Sequence, residues 1–420
     1  MMKSHTGMKY LALTLLMILS LSLGGCFARG KDGPESSDAA PAEGAPIEAG
    51  GSTISPGNCL LSEYDGNIQI KDSGTYTLSG SLSGSLIIDA PDNQIVLVLD
   101  NVSIMNAMGP CLEAKDAADL VIELEGSSSF SSGQASNASS DLCAVSFNCP
   151  VHVQNNGSLS ISSQSSGIES TQKMSVSQSI INISSRQTCL QTDTLSLEKA
   201  ILNFTSDQGA GLYVQSRLDF DQAVLNVSST LNSLSCKGDL ECFDSQIILT
   251  STNDAEALLT AASFKDSSLA VQSRLNALQS DKTLLLENCI TTLNSTDQAG
   301  IDCDLFTLYG GQFIAFAQSE SVPQVTDQPI LYLQLAPSSN ALTVRAFEEK
   351  ADDPSYELVL QPSAASTRHV LLSSDKMHDG ENLQLCQESA CSVLSIGSGI
   401  TRLSVEGEKA LSVRALNNDQ

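Results

Sequence analysis

Tryptophan is absent from this chain of 420 residues, and only 4% of the residues are aromatic. A Trp-built platform for stacking a ligand is therefore excluded. Basic residues are also scarce: 21 Lys and Arg stand against 48 Asp and Glu, a net charge of −27. That balance lacks the basic footprint of a nucleic-acid binder. It also repels anionic polymers unless cations bridge them. The four histidines (His5, His152, His369 and His378) are scattered along the chain. There is no CxxC motif, so cysteine-pair metal or redox sites are not indicated. After the N-terminus, no apolar run reaches the roughly 20 residues needed to span a bilayer.

The apolar run that does exist lies at Tyr10–Leu23, behind Lys3 and Lys9, and ends in Leu23-Gly24-Gly25-Cys26. A basic start, a short apolar stretch and small residues before a cut describe a secretory signal. The cysteine directly after Leu-Gly-Gly marks the bacterial lipoprotein form. Residues 1–25 are thus read as the signal and Cys26 as the lipidated new N-terminus, outside the cytoplasm and tethered to the cell membrane. Losing Lys3 and Lys9 takes the charge from −27 to −29. Residues 26–57, rich in Pro, Gly, Ala, Ser and Glu, are read as a flexible tether.

What fills the remainder is a repeat. Val145, Ile168, Leu190, Leu212, Leu234, Leu258, Leu278 and Ile301 each open a similar phrase, at spacings of 23, 22, 22, 22, 24, 20 and 23 residues. Ile88 and Leu112 fit as earlier members, and the Ser-rich stretch Gly126–Asp141 reads as an insertion. Each phrase closes on an alternating run such as "IINIS", "ILNFT" or "VLNVS". Alternation of period two is the strand signal, and a fixed period of this length made of strands is a solenoid. Helical-pair repeats are longer, and the leucine-rich phrase is missing. The expected fold is all-β: a right-handed parallel β-helix over 58–320, then a small C-terminal β segment over 321–390 and a tail over 391–420.

Within this register, the residues before the second strand are Lys173, Thr194, Arg217, Asp239, Ser263 and Thr283. Lys173 and Arg217 then share one ladder position with Thr194 between them. Asn288, Asp244 and Ser267 are placed at the bend after that strand, because Asn and Asp tolerate left-handed backbone. Cys236 and Cys303 fall two residues into their phrases, alongside Ser170, Thr192, Thr260 and Ser280, as small inward residues. Apart from Cys26 the cysteines read as core filling, with Cys386 and Cys391 the best local disulfide candidate in an exported protein. Cys143 and Cys149 flank a strand and are held too far apart to pair. His152, between Val151 and Val153, points outward as a surface ladder residue. The few aromatics, Tyr213 and Tyr309 among them, fall mostly at inward positions.

The stretch Ser73–Ser128, "SGTYTLSGSLSGSLIIDAPDNQIVLVLDNVSIMNAMGPCLEAKDAADLVIELEGSS", resembles the opening of the bacterial carbohydrate-binding β-helix lipoproteins of the type found in cellulose-degrading clostridia. Pro329–Leu385 resembles their closing segment. The resemblance implies a surface protein that binds cellulose or acidic plant polysaccharide, with calcium held between rungs. In the middle of the chain only Asp239 keeps the acid that such proteins carry before the second strand. Gly310-Gly311 is the one surviving Gly-Gly turn of the repeat.

Calcium takes six to eight oxygen ligands, and the acids put forward for it are Asp239, Asp302 and Asp304. Asp254, Arg274 and Asp297 would stack on consecutive rungs, with the Arg supplying a cation from the protein itself. Gln191, Gln215 and Gln279 are candidates to face a glycan. The expectation is a monomeric surface lipoprotein whose β-helix binds polysaccharide without catalysis, neutral chains before acidic ones, and which contacts no nucleic acid. The alternatives are a polysaccharide lyase or hydrolase, for which the fold alone is analogy, and a structural or adhesive protein with a degenerate site.

Overall fold

The structure is a computed structural model and describes residues 51–133, 143–252, 257–319, 328–335, 342–347, 356–360, 367–387, 390–395, 400–406 and 412–415. It is a right-handed parallel β-solenoid with rungs of about 22 residues. In each rung the side chains alternate between a closed interior and the surface. Ile180–Ser185, for example, runs exposed, buried, intermediate, buried, exposed, buried. Strands stack in parallel: Ile183 pairs with Ile161 below and Phe204 above. Equivalent residues therefore form columns with a rise of about 4.8 Å per rung.

Each rung presents three faces. The first holds a short strand such as Ile168–Ser170. The second holds Lys173–Ser177 and the third Ile180–Ser185. In other rungs one strand passes through the corner between the first two faces, as in Leu212–Asp221. The opening column is Leu112, Val145, Ile168, Leu190, Leu212, Leu234, Ala257, Leu278 and Ile301. Leu190 and Leu212 have no exposed surface. Burying a side chain of this kind contributes roughly 1.5–3 kcal/mol, and every rung repeats it.

The columns correct the expected register in several places. Leu234 pairs with Ala257, not Leu258, and Cys236 with Leu259, not Thr260. Asp239 pairs with Ala261, not Ser263. The chain bulges between Cys236 and Asp239 to absorb this; consecutive apolar residues at 257–259 hid it from an apolar alignment. Upstream, Leu86 rather than Ile88 opens its rung. Ser127–Ser132, expected inside an insertion, is a regular third-face strand paired with Ser158–Ser163. Residues 134–142 and Asp254 lie outside the described residues.

A repeated device satisfies several of the polar groups inside the coil, although the buried Ser251 hydroxyl at the same strand end finds no partner. The third strand ends on a buried serine: Ser185, Ser206, Ser229 and Ser295 are each almost fully enclosed. Ser185 and Ser229 donate to carbonyls of the turn that follows them, at Gln187 (2.7 Å) and Leu231 (2.7 Å), and Ser206 and Ser295 to the same turn of the preceding rung, at Gln187 (2.6 Å) and Leu275 (2.6 Å). The corner between second and third faces turns on one left-handed residue per rung: Gln178, Lys199, Gln222, Asp244, Asp266 and Asn288, then Gly310. The bend is thus at Asp266, not Ser267. Ser267 follows it and is buried, donating to the Lys265 carbonyl at 2.7 Å.

The last solenoid strand, Ile301–Ala317, pairs antiparallel with His369–Ser374, which in turn pairs with Ile330–Leu335. A separate antiparallel sheet is built from Leu342–Phe347, Tyr356–Leu360, Asn382–Gln387 and Ala390–Ser395. Cys386 and Cys391 face each other across its hairpin and form a disulfide. Beyond Cys391, Ile400–Glu406 lies parallel to Ile330–Leu335. No helix of the described residues is long and apolar enough to cross a membrane.

Candidate functional site

From Ser81 to Phe316 the third face is uncharged among the described residues. From Ser81–Ser83 through Ser103, Met105, the serines of Ser127–Ser132 and Ser158–Ser163, and on to Gln312, Ile314 and Phe316, no outward residue is Asp, Glu, Lys or Arg. In its middle rungs the face sorts into three columns: Ile180, Ile201 and Val224; Asn182, Asn203 and Asn226; Ser184, Thr205 and Ser228. The amides are linked, Asn203 Nδ2 donating to Asn182 Oδ1 at 2.9 Å and Asn226 Nδ2 to Asn203 Oδ1 at 2.8 Å. A shallow cleft of about 450 Å³ runs over Ser131, Ser162, Asn182, Asn203 and Thr205. Apolar, amide and hydroxyl columns side by side can meet both the C–H and O–H groups of a neutral polymer.

The second face carries the charge. Arg217 donates to Asp219 at 2.8 Å and to Glu241 at 2.7 Å. Hydrogen bonding to Asp219, then its charge and that of Glu241, pushes the guanidinium further up. Lys265 pairs with Glu287 at 2.8 Å. Arg217, Asp219, Glu241 and Lys265 border a second cleft of about 430 Å³ with Glu198, Asp221 and Phe243. Phe243 and Tyr309 are nearly half exposed, and Tyr213 is partly exposed with Lys237 5.5 Å above its ring. Most aromatics of the repeat are inward as expected, Phe130, Phe204, Phe220, Phe264, Phe306 and Phe313 being buried, and these three are outward exceptions.

Gln191 and Gln279 share the outward column of the first face with Glu169, Tyr213, Ser235 and Asp302. Gln215 lies in the adjoining corner, where its Oε1 accepts from Tyr213 Oη at 2.7 Å. The three glutamines therefore do not form one surface. Asp302 sits in that same column, Asp304 in the corner after it, and Asp239 on the second face between Arg217 and Ala261. Asp302 accepts from Asn276 at 3.3 Å. Among the described residues, no cluster of three or more His, Cys, Asp and Glu is arranged to hold a metal. Arg274 and Asp297 do pair, at 2.8 Å. Lys173, Thr194 and Arg217 occupy one column as expected.

Cys143 and Cys149 are buried free thiols, as are Cys111, Cys189, Cys236, Cys242 and Cys289. Burial pushes Cys111 and Cys189 up to about 11 and Cys242 to about 12. They are core, not nucleophiles. His152 points outward as expected, and its ring bridges Asp119 and Ser175. Apolar spacing along the chain does not reveal the serine–asparagine columns, which belong to the outward residues. The signal was present in the outward letters of "IINIS", "ILNFT" and "VLNVS".

Residues 64–321, which are 258 of the 420 (321 − 64 + 1), match the family described as carbohydrate-binding domain-containing protein. No curated protein and no solved structure matches the chain.

Proposed function

We propose a specific glycan-binding role from the premise that the chain belongs to the carbohydrate-binding domain-containing family: the third face docks an extended neutral polysaccharide. The observation that carries this reading is the absence of charge, among the described residues from Ser81 to Phe316, on one face of a chain whose net charge is −27. A sugar hydroxyl exchanges hydrogen bonds with Asn, Ser and Thr for about 0.5–1.5 kcal/mol net each. Affinity therefore accumulates with chain length, and columns about 4.8 Å apart offer the same groups at every rung.

The test is a pull-down of the full chain in detergent on cellulose and on polygalacturonate, with calcium and with chelator. Retention on the neutral polymer under both conditions is expected. Capture by polygalacturonate alone, and only with calcium, overturns the reading and returns attention to Asp239, Asp302 and Asp304.

The same reading has the protein exported and held at the membrane by lipid on Cys26, supported by the Leu23-Gly24-Gly25-Cys26 sequence. Wild type should partition into the detergent phase and Cys26→Ser into the aqueous phase. Equal partitioning of the two rejects the anchor.

A further inference from the structure

Three consecutive rungs of the second face bring together residues that are 33 (152 − 119) and 23 (175 − 152) positions apart in the chain. His152 stacks between Val121 and Ser175, and Asp119 stands two residues before Val121 on the same outward side. The His152 Nε2 lies 3.2 Å from Asp119 Oδ1. The His152 Nδ1 lies 2.6 Å from Ser175 Oγ. A carboxylate only accepts, so Asp119 draws the ring proton to Nε2 and leaves Nδ1 with a free lone pair. That lone pair faces the hydroxyl of Ser175. The order acid, imidazole, hydroxyl is what activates a serine, and it is recognised by geometry rather than by chain order.

Two further polar residues stand beside Ser175 on the same outward side. Lys173 is exposed, two residues before Ser175 on the same side of its strand. Ser196 is the next residue above Ser175 in the column. Both donate hydrogen bonds, and an ammonium beside a nucleophile stabilises negative charge developing on an attacked carbonyl.

We propose that Asp119, His152 and Ser175 form an acyl-transfer triad that hydrolyses esters carried by a glycan chain. Ser175 Oγ attacks the ester carbonyl carbon while its proton passes to His152 Nδ1. The oxyanion forms beside Lys173 and Ser196. The bond from carbon to the sugar oxygen then breaks, and His152 returns the proton to that oxygen. Water attacks the acyl-serine, His152 takes the water's proton, and Ser175 regains it as the carboxylic acid leaves. Ester and water become acid and alcohol, with no other reactant. His152 and Ser175 are the catalytic residues, and Asp119 positions the ring. The His152 and Asp119 side chains are 39% and 30% exposed, open enough to admit an acyl group on a long polymer. The choice of a glycan ester rests on the binding role proposed above, whereas the triad itself rests on geometry alone.

A fluorophosphonate probe tests the triad without any glycan. Wild type should be labelled at Ser175, and labelling should vanish in Ser175→Ala and fall strongly in His152→Asn. Hydrolysis of p-nitrophenyl acetate should drop at least about 100-fold in both variants. Asp119→Asn should lower kcat at least about tenfold with KM little changed, because the ring loses its tautomer rather than its substrate. All three positions face outward, so unfolding midpoints should match wild type. No labelling of wild type, or equal turnover in wild type and Ser175→Ala, overturns the triad. Acetate release from acetylated xylan is the second arm. Turnover of the small ester with no acetate from xylan overturns the glycan ester while leaving the triad. Failure of neutral glycans to be retained in the pull-down, with p-nitrophenyl acetate still hydrolysed, overturns the binding role instead.

Discussion

The second and third faces of the solenoid share one backbone, one period and one interior, yet their surfaces differ throughout. On the second face successive outward residues change character: Thr194, Arg217, Asp239, Ala261 in one column, and Glu198, Asp221, Phe243, Lys265 in another. On the third face every outward residue is uncharged, and Asn182, Asn203 and Asn226 repeat the same group. The interior dictates only alternate residues, so the outward ones are free to differ. Charge is kept off one face of a strongly acidic chain, while the other face mixes ion pairs with acids. The uniform face suits a repetitive ligand, and the varied face suits local chemistry.

The interior that both faces share gives the largest expected effect. Leu212→Asp puts an unpaired carboxylate where Leu212 has no exposed surface, costing several kcal/mol. The variant should unfold at a much lower temperature or fail to fold, and an unchanged melting curve would break the common-core description of the faces.

Alkali attacks the same interior without mutation. Burial raises Cys111, Cys143, Cys149, Cys189 and Cys236 to about 11, and Cys242 and Cys303 to about 12, from an ordinary 9.0. A raised thiol binds its proton more tightly in the folded state. Its stabilisation is whole below about pH 9 and is lost as pH rises through the folded values. Denaturant midpoints should therefore fall steeply between pH 9 and 12. A flat profile there would show the thiols to be less enclosed than the columns require.

The faces themselves are separated by adding one charge to each. Asn203→Asp breaks its amide link to Asn182 and puts a carboxylate in the uncharged strip. Losing about two hydrogen bonds at 0.5–1.5 kcal/mol each weakens glycan retention by roughly tenfold. Thr283→Asp adds the same charge to the second face and should change retention less than about twofold. Equal losses would move the glycan off the third face.

The smallest effect should come from Arg217→Gln, which removes the link between Asp219 and Glu241. Exposed ion pairs contribute no more than about 1 kcal/mol, screened by salt. Unfolding at low salt should shift slightly and the shift should vanish at high salt. A large, salt-independent loss would mean that Arg217 serves the fold rather than the surface.

Most of the fold was legible because inward residues must be apolar. Val145, Ile168, Leu190, Leu212 and Leu234 stand at their expected positions in one column. The register slipped where Ala257, Leu258 and Leu259 offered three apolar choices and a bulge removed a residue from the corner. Asp266, not Ser267, took the left-handed bend for a related reason: Asp266-Ser267-Ser268 places several turn-forming residues together, and backbone geometry picks the one before the buried serine. The site was less legible. Gln191, Gln215 and Gln279 looked equivalent along the chain, but a corner carries Gln215 off the column.

The sequence by itself determined the solenoid, its period and the side of each strand that is buried, because hydrophobic burial acts on alternate residues and is written in their order. Only the tertiary structure decided which outward residues become neighbours. Stacking turns a separation of a full rung into about 4.8 Å, and each bulge or corner shifts what lies above what. That is why the neutral face emerges from strands that each look ordinary. It is also why Asp119, His152 and Ser175, remote in sequence, meet through hydrogen bonds of 3.2 and 2.6 Å.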